Sequence, residues 1–386
     1  MAVEFKAGLK DVVAVNSSIT AVDGDQGLLR YRGYDIRDLA IQATYEEVVY
    51  LLWYGELPTQ SQLRDVSREL AAARPLTQPV LASMRTYPKR AHPLEALRTA
   101  VSITGMHDPD SASNAHEATL RKATRLTAQI PVMVGAWQRL REGQDPVAPL
   151  VDGSAAENFL YTVTGRRSTP VAARTMDMIF ILHADHEINA STFAMRVAVA
   201  TFTDLHSAIT AAIGTLKGPR HGGANEDVLE MLLEIGDPSR AARYIEERWE
   251  ARTRMTKEER AKPENRIPGW GHPVYKVDDP RAGVLREMAR KLVSETGNTK
   301  VFDIAARVFE TMHRVSDLPV NVDFFSAVVY HALGIPIDLC TSIFAAARIS
   351  GWSAHAMEQY NDKLLRPRAH YTGPPPRAFV PLSQRR

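Results

Sequence analysis

Three stretches of this chain hold residues able to move protons or bind anions, and each interrupts the regular pattern around it. In Lys217-Gly218-Pro219-Arg220-His221-Gly222-Gly223-Ala224-Asn225 a histidine is followed by two glycines, which let backbone and ligand approach closely. Lys217 and Arg220 precede it and are able to hold an anion. A second histidine, His272, stands between Gly271 and Pro273 in a stretch from Arg260 to Arg281 rich in proline and charge. In Pro319-Val320-Asn321-Val322-Asp323-Phe324-Phe325-Ser326 a lone carboxylate is flanked by apolar side chains, a setting that raises its pKa and suits it to proton abstraction. Each has a plainer reading. The histidines fit simple glycine turns, and Asp323 fits a helix N-cap.

A fourth group, His183-Ala184-Asp185-His186-Glu187, places His183, His186 and Glu187 three or four apart on a helix that continues Met176, Ile179 and Phe180, which invites a metal. The spacing differs from the zinc-protease pair, whose histidines are four apart with Glu directly after the first. Histidines that bond a substrate or cap a buried helix end are the simpler explanation, and no metal is expected. Arg281, Arg348, Arg366 and Arg368 stand near these segments, although a single arginine is usually a solvated surface residue. The chain has no G-x-S-x-G elbow, no P-loop and no dinucleotide G-x-G-x-x-G; Gly269-Trp270-Gly271 lacks the third glycine.

The elements that must position these residues are mostly helices. Ser18 to Val22 and Leu28 to Tyr31 flank the turn-rich Asp23-Gly24-Asp25-Gln26-Gly27, which predicts a hairpin. Beyond residue 35 strand-like alternation is scarce. Thr44 with Glu47 and Thr59 with Gln62 match the capping box. Leu63, Val66 and Leu70 form one apolar stripe, and Val301, Ile304, Ala305, Val308 and Met312 form another. The class is therefore mainly α with a small N-terminal β element, and 386 residues favour two domains.

Composition sets outer bounds. With 45% hydrophobic and 24% charged residues the chain is an ordinary globular one, and 47 Lys plus Arg against 45 Asp plus Glu give no reason to expect nucleic acid or an acidic membrane as partner. The single Cys340, in an apolar stretch, forms no internal disulfide. The segment MAVEFKAGLKDVV carries charge where a signal peptide needs an apolar core, and no run approaches a membrane span, so a cytoplasmic location is expected.

Taken in chain order, RGYDI, His92-Pro93, LHADHEIN, GPRHGGANE, GWGHPVYKVDDPR, NVDFFSA and LLRPRAHYTG resemble the citrate synthase family, from about residue 9 to Gly373. The resemblance implies a two-domain helical fold with a large domain at about 1–222 plus 329–386 and a small one at about 223–328. It implies condensation of acetyl-CoA with oxaloacetate, a tricarboxylic acid cycle step, with 2-methylcitrate synthesis from propionyl-CoA as the alternative. A metal hydrolase built on His183, His186 and Glu187, and a helical interaction protein that has lost catalysis, are the rivals from other classes. Carried over by motif, His221, His272 and Asp323 are catalytic, and His186, Arg281, Arg348 and Arg366 bind oxaloacetate. CoA falls to the loop with Lys262, Arg266, Ile267, Gly269, Gly271 and Lys276. No permanently bound cofactor is implied, acetyl-CoA being a co-substrate, and the partner is a second copy whose tail donates Arg366 across a homodimer. Arg220, Trp270 and Pro273 depart from the usual family residues and bear on selectivity. The extra N-terminal β domain of the NADH-inhibited members is missing, so that regulation is not expected.

Overall fold

The computed structural model describes residues 5–9, 12–219, 221–222 and 224–385. Arg220 and Gly223 lie outside the described residues. A three-stranded antiparallel sheet, β1 (Thr20–Asp23), β2 (Leu28–Tyr31) and β3 (Tyr34–Asp35), opens the fold, with Thr20 opposite Tyr31 and Asp23 opposite Leu28. The hairpin follows the sequence reading, except that β1 starts two residues later and β3 is added after the turn at Arg32-Gly33. Asp23 closes the connection by accepting from the amides of Asp25 and Gln26, both at 3.0 Å.

Seventeen α-helices follow among the described residues. Both expected capping boxes are formed: Thr44 caps Tyr45–Tyr54 and Thr59 caps Gln60–Ala73, each with the reciprocal Glu47 or Gln62 contact. Gly55 ends the first of these helices at φ 91°, the left-handed conformation a C-terminal glycine supplies. Val66 and Leu70 are buried, as are Val301, Ile304, Ala305, Val308 and Met312 on one face of Lys300–Val315.

Helix Cys340–Gln359 is the axis of the core. It is buried along nearly its whole length, and it packs against His116–Arg141, Pro170–His183, Tyr45–Tyr54, Ala190–Val199 and Leu205–Leu216. Such all-round burial needs small residues, and its sequence is rich in Ala and Ser. The helices Ala224–Ile235, Pro238–Thr253, Pro280–Thr296, Lys300–Val315 and Val322–Ala332 pack on one another, and Pro280–Thr296 also touches Pro170–His183. Cys340 is buried, and burial pushes its thiol far above the usual range, which makes it inert packing. No helix among the described residues is long and apolar enough to cross a membrane.

Two helical glycines separate packing from propensity. A Cβ at Gly135 in His116–Arg141 would come within 2.7 Å of the Thr162 backbone, whereas one at Gly283 in Pro280–Thr296 would meet nothing within 4 Å. Gly135→Ala is expected to lower stability by about 1–3 kcal/mol through overpacking. Gly283→Ala is expected to raise it by about 0.5–1 kcal/mol, because only helix propensity changes. Denaturant unfolding of the two variants checks the opposite signs.

Candidate active site

Asp323 occupies the first turn of Val322–Ala332, but the cap is Asn321, whose side chain accepts from the Asp323 amide at 3.0 Å. The N-cap reading of Asp323 is thereby displaced, and its carboxyl group is left for other work. Burial pushes its pKa up to about 7; Arg281 opposes the rise, Asp279 adds to it, and Asn225 and Arg348 oppose it. Asn225 is fully buried, with its amide oxygen accepting from Ser326 Oγ at 2.5 Å. Its Nδ2 is close enough to the Asp323 carboxyl group to lower that pKa, although it completes no well-formed hydrogen bond among the described residues.

His272 reaches the same region because two distant segments are stitched together. Gly271 N–H donates to Pro319 O at 2.7 Å, Asn321 N–H to Gly269 O at 2.9 Å, and Asn321 Nδ2 to Gly271 O at 3.1 Å. Gly269 and Gly271 hold φ of 80° and 85°, which glycine adopts without strain, and a Cβ at Gly269 would strike Phe324 at 2.6 Å. The His272 ring accepts at Nδ1 from the amides of Val274 at 3.0 Å and Tyr275 at 3.1 Å. The neutral ring therefore carries its proton on Nε2 as a donor. Burial lowers its pKa to about 4, and Arg281 adds to the fall.

His221 follows helix Leu205–Leu216, and its Nε2 lies 2.8 Å from Ser191 Oγ and accepts from Ser191 N–H at 3.3 Å. The Ser191 hydroxyl has one proton and two acceptors in reach, the other being Asn189 Oδ1 at 2.8 Å. The backbone amide keeps Nε2 in the acceptor role either way, which leaves the ring proton on Nδ1. Burial lowers the His221 pKa to about 4, with Arg348 contributing. The turn is tight: a Cβ at Gly222 would meet Thr341 Cγ2 at 2.6 Å, and Thr341 Oγ1 holds Gly222 O at 2.9 Å.

Two buried guanidinium groups complete the cluster. Arg281 is gripped by Asp279 through Nε at 2.9 Å and Nη2 at 2.7 Å, and Asp279 caps the same helix. Arg348 donates from Nε to His183 O at 2.7 Å, and neither of its Nη atoms has a hydrogen-bond partner among the described residues. His186 Nε2 lies 3.1 Å from Tyr275 Oη, and its ring centre is 5.5 Å from that of His272. Burial drives the His186 pKa well below its ordinary value, followed by Arg281, His272 and Arg348. His186, His221, His272, Arg281, Arg348 and Asp323 thus face one another.

The metal reading does not assemble. His183 Nδ1 faces Ile179 O at 2.8 Å and its ring packs edge-on against Phe344, while Glu187 is exposed at φ 51°. No cluster of three or more metal-ligating side chains occurs among the described residues.

Other sequence candidates lie outside the cluster. Lys262 is exposed at the end of Lys257–Ala261, and Arg266 donates to Ala261 O at 3.1 Å. Ile267 is buried with its carbonyl accepting from Trp270 N–H at 3.1 Å, and Lys276 pairs with Asp25 at 2.7 Å. Trp270 is packed between Phe309 and Phe324. Arg366 is exposed in the extended tail, without an ion pair among the described residues. Sequence reasoning missed Ser191, Asn225, Tyr275 and Asp279. Their one available signal was proximity to the histidine motifs, since a polar residue that orients another carries no pattern of its own.

Residues 8–368 match the model of the family described as citrate synthase, C-terminal domain. The chain is 46% identical over 380 residues to citrate synthase 2 of Bacillus subtilis, covering 98% of each. The chain belongs to the citrate synthase family. It is 36% identical over 381 residues to a 2-methylcitrate synthase of Shewanella oneidensis, again covering 98% of each. A solved ternary complex of carboxymethyl coenzyme A and oxaloacetate with the citrate synthase of Thermoplasma acidophilum superposes with a TM-score of 0.88 at 32% identity, covering 99% of this chain and 100% of that one. As a member of the citrate synthase family the protein is an enzyme, a transferase of acyl groups.

The elevated Asp323 pKa has a measurable cost in this citrate synthase family member. Its folded value of about 7 exceeds the reference 3.8, so between those limits the folded state binds more protons than the unfolded one. Stability from this group therefore falls as pH rises through that window. Asp323→Asn is expected to raise the thermal unfolding midpoint above wild type at pH 8, with the advantage shrinking toward pH 4. An advantage independent of pH, measured by calorimetric scans, would show that this carboxyl group is not the one titrating.

Proposed function

We propose that the enzyme condenses acetyl-CoA with oxaloacetate to give citrate and CoA. The observation that carries this reading is Arg348: a buried cation whose Nη atoms meet no hydrogen-bond partner among the described residues, beside the second buried guanidinium of Arg281 and a carboxyl group with a pKa near neutrality. A buried guanidinium with unspent donors is costly unless a ligand carboxylate completes it, and a dicarboxylate suits a neighbouring pair of guanidinium groups. His186 adds a polar contact to the same substrate. Asp323 takes a proton from the thioester methyl group, and His221 donates from Nδ1 to the thioester oxygen as the enol forms. The enol carbon attacks the ketone as the enol proton returns to His221 Nδ1; the ketone oxygen takes the Nε2 proton of His272, and the proton held by Asp323 replaces it by way of water, so the condensation leaves every group as it began. Water then cleaves the thioester of the bound intermediate and releases citrate and CoA. Neutral histidines suit this task, since each enters as a donor rather than as a cation.

In this reading the large domain is 1–222 plus 329–386 and the small one 223–328, so that the cluster draws on both, and closure excludes water until condensation is complete. The small segment supplies the CoA contacts, with Lys262, Arg266 and Lys276 for phosphates and the loop of Ile267, Gly269 and Gly271 for the adenine. Lys276 would then exchange Asp25 for a phosphate. No permanently bound cofactor is needed, because His221 and His272 polarise the two carbonyl groups. The setting is cytoplasmic.

The relatives named 2-methylcitrate synthase support a second reading, in which propionyl-CoA is the thioester. One methylene in an apolar pocket is worth about 1–3 kcal/mol, or roughly 10- to 200-fold in selectivity. Steady-state thiol release with oxaloacetate is expected to give a kcat/KM at least tenfold higher for acetyl-CoA than for propionyl-CoA. The reverse ratio would establish the second reading, and no turnover with either would remove both.

Arg366 is assigned to the neighbouring subunit's site in a homodimer, which accounts for its exposure in an isolated chain. Pro367 stiffens the arm that carries it. Co-refolding Asp323→Asn with Arg366→Ala, each inactive alone, is expected to restore roughly a quarter of the sites if the arm crosses. A mixture as inactive as its parents would place Arg366 in its own subunit.

A further inference from the structure

A cavity of about 850 Å³ lies between helices Ile36–Gln42 and Pro170–His183 on one side and Pro280–Thr296 on the other. It contains none of the catalytic candidates. Its walls are largely apolar, formed by Ile41, Met178, Val284, Met288, Val320 and Phe325. Most charged groups at its edge are already committed. Arg37 pairs with Asp35, and Arg174 with Asp177 and three backbone carbonyls. Asp278 bonds His313 and the Val320 amide, and Glu287 pairs with Arg290. Arg286 and Lys291 have no carboxylate partner among the described residues; Lys291 is exposed, whereas Arg286 is half-buried and stacked 4.6 Å from the Phe309 ring centre. Stacking fixes such a guanidinium without neutralising it.

A second observation points the same way. Gly283 lines the cavity within a helix, at a position where a Cβ would meet nothing within 4 Å. Neither a turn nor close packing requires glycine there, and glycine in a helix is destabilising relative to alanine. Its effect is to keep the cavity open. Asp279 also lines the cavity while its carboxylate grips Arg281 from behind. We propose that this cavity is a second small-molecule site, for an amphipathic anion with a compact apolar body and one carboxylate, phosphate or sulfonate held by Arg286. Its occupancy alters oxaloacetate binding through Asp279 and Arg281, a coupling that rests on the assignment of Arg281 to oxaloacetate.

The test uses the full-length enzyme and two dyes, 8-anilinonaphthalene-1-sulfonate and its uncharged analogue N-phenyl-1-naphthylamine, followed by fluorescence. Wild type is expected to bind the sulfonate saturably at one site per chain. Arg286→Gln is expected to weaken the sulfonate at least fivefold and the neutral dye less than twofold. Gly283→Phe, which fills the cavity from a position with room for a side chain, is expected to abolish both. Circular dichroism and thermal unfolding verify that each variant is folded, and Gly283→Leu serves if the phenylalanine variant is not. Dye binding unchanged in both variants, or absent from wild type, would overturn the site. Calorimetric titration with oxaloacetate is expected to show at least a twofold change in affinity when the sulfonate is present, in wild type but not in Gly283→Phe. An unchanged affinity would overturn the coupling, whereas a wild type that binds the dye but not oxaloacetate would instead count against the proposed function.

Discussion

Two guanidinium groups held out of water govern the chemistry of this cleft. Arg281 is neutralised by Asp279, and Arg348 makes one hydrogen bond among the described residues, to the carbonyl of His183, with its guanidinium over the Phe344 ring. Their field reinforces burial in keeping His186, His221 and His272 uncharged, and it works against burial at Asp323. The outcome is a carboxyl group poised near neutral pH among neutral imidazoles. Such a combination suits proton abstraction from a weak carbon acid, because base and donors act without first changing charge.

That electrostatic arrangement depends on backbone geometry more than on side-chain pairing. The Gly269–His272 segment is fastened to Pro319–Asn321 by main-chain bonds, and Asn321 then caps the helix that presents Asp323. Backbone amides also set the His272 and His221 tautomers, through Val274, Tyr275 and Ser191. A backbone donor cannot rotate away as a hydroxyl can, so the protonation pattern is fixed before a substrate arrives. Asp279, which grips Arg281, also forms part of the wall of the apolar cavity.

Much of this was legible in the chain itself. The capping boxes at Thr44 and Thr59, the β2 strand and the apolar face of Lys300–Val315 follow from local rules, and local rules are what a sequence displays most directly. The His221, His272 and Asp323 motifs singled out candidate groups, and their order along the chain pointed to the family that the comparison then showed. Tertiary structure decided the rest. It made Asn321 rather than Asp323 the helix cap, packed Trp270 into the core, tied Lys276 to Asp25, and brought Ser191, Asn225, Tyr275 and Asp279 to the site. Those outcomes turn on contacts between segments tens of residues apart and on how far each group is removed from water. Neither quantity exists until the chain has folded, which is why motif and periodicity name candidate residues while burial and neighbouring charges set their protonation.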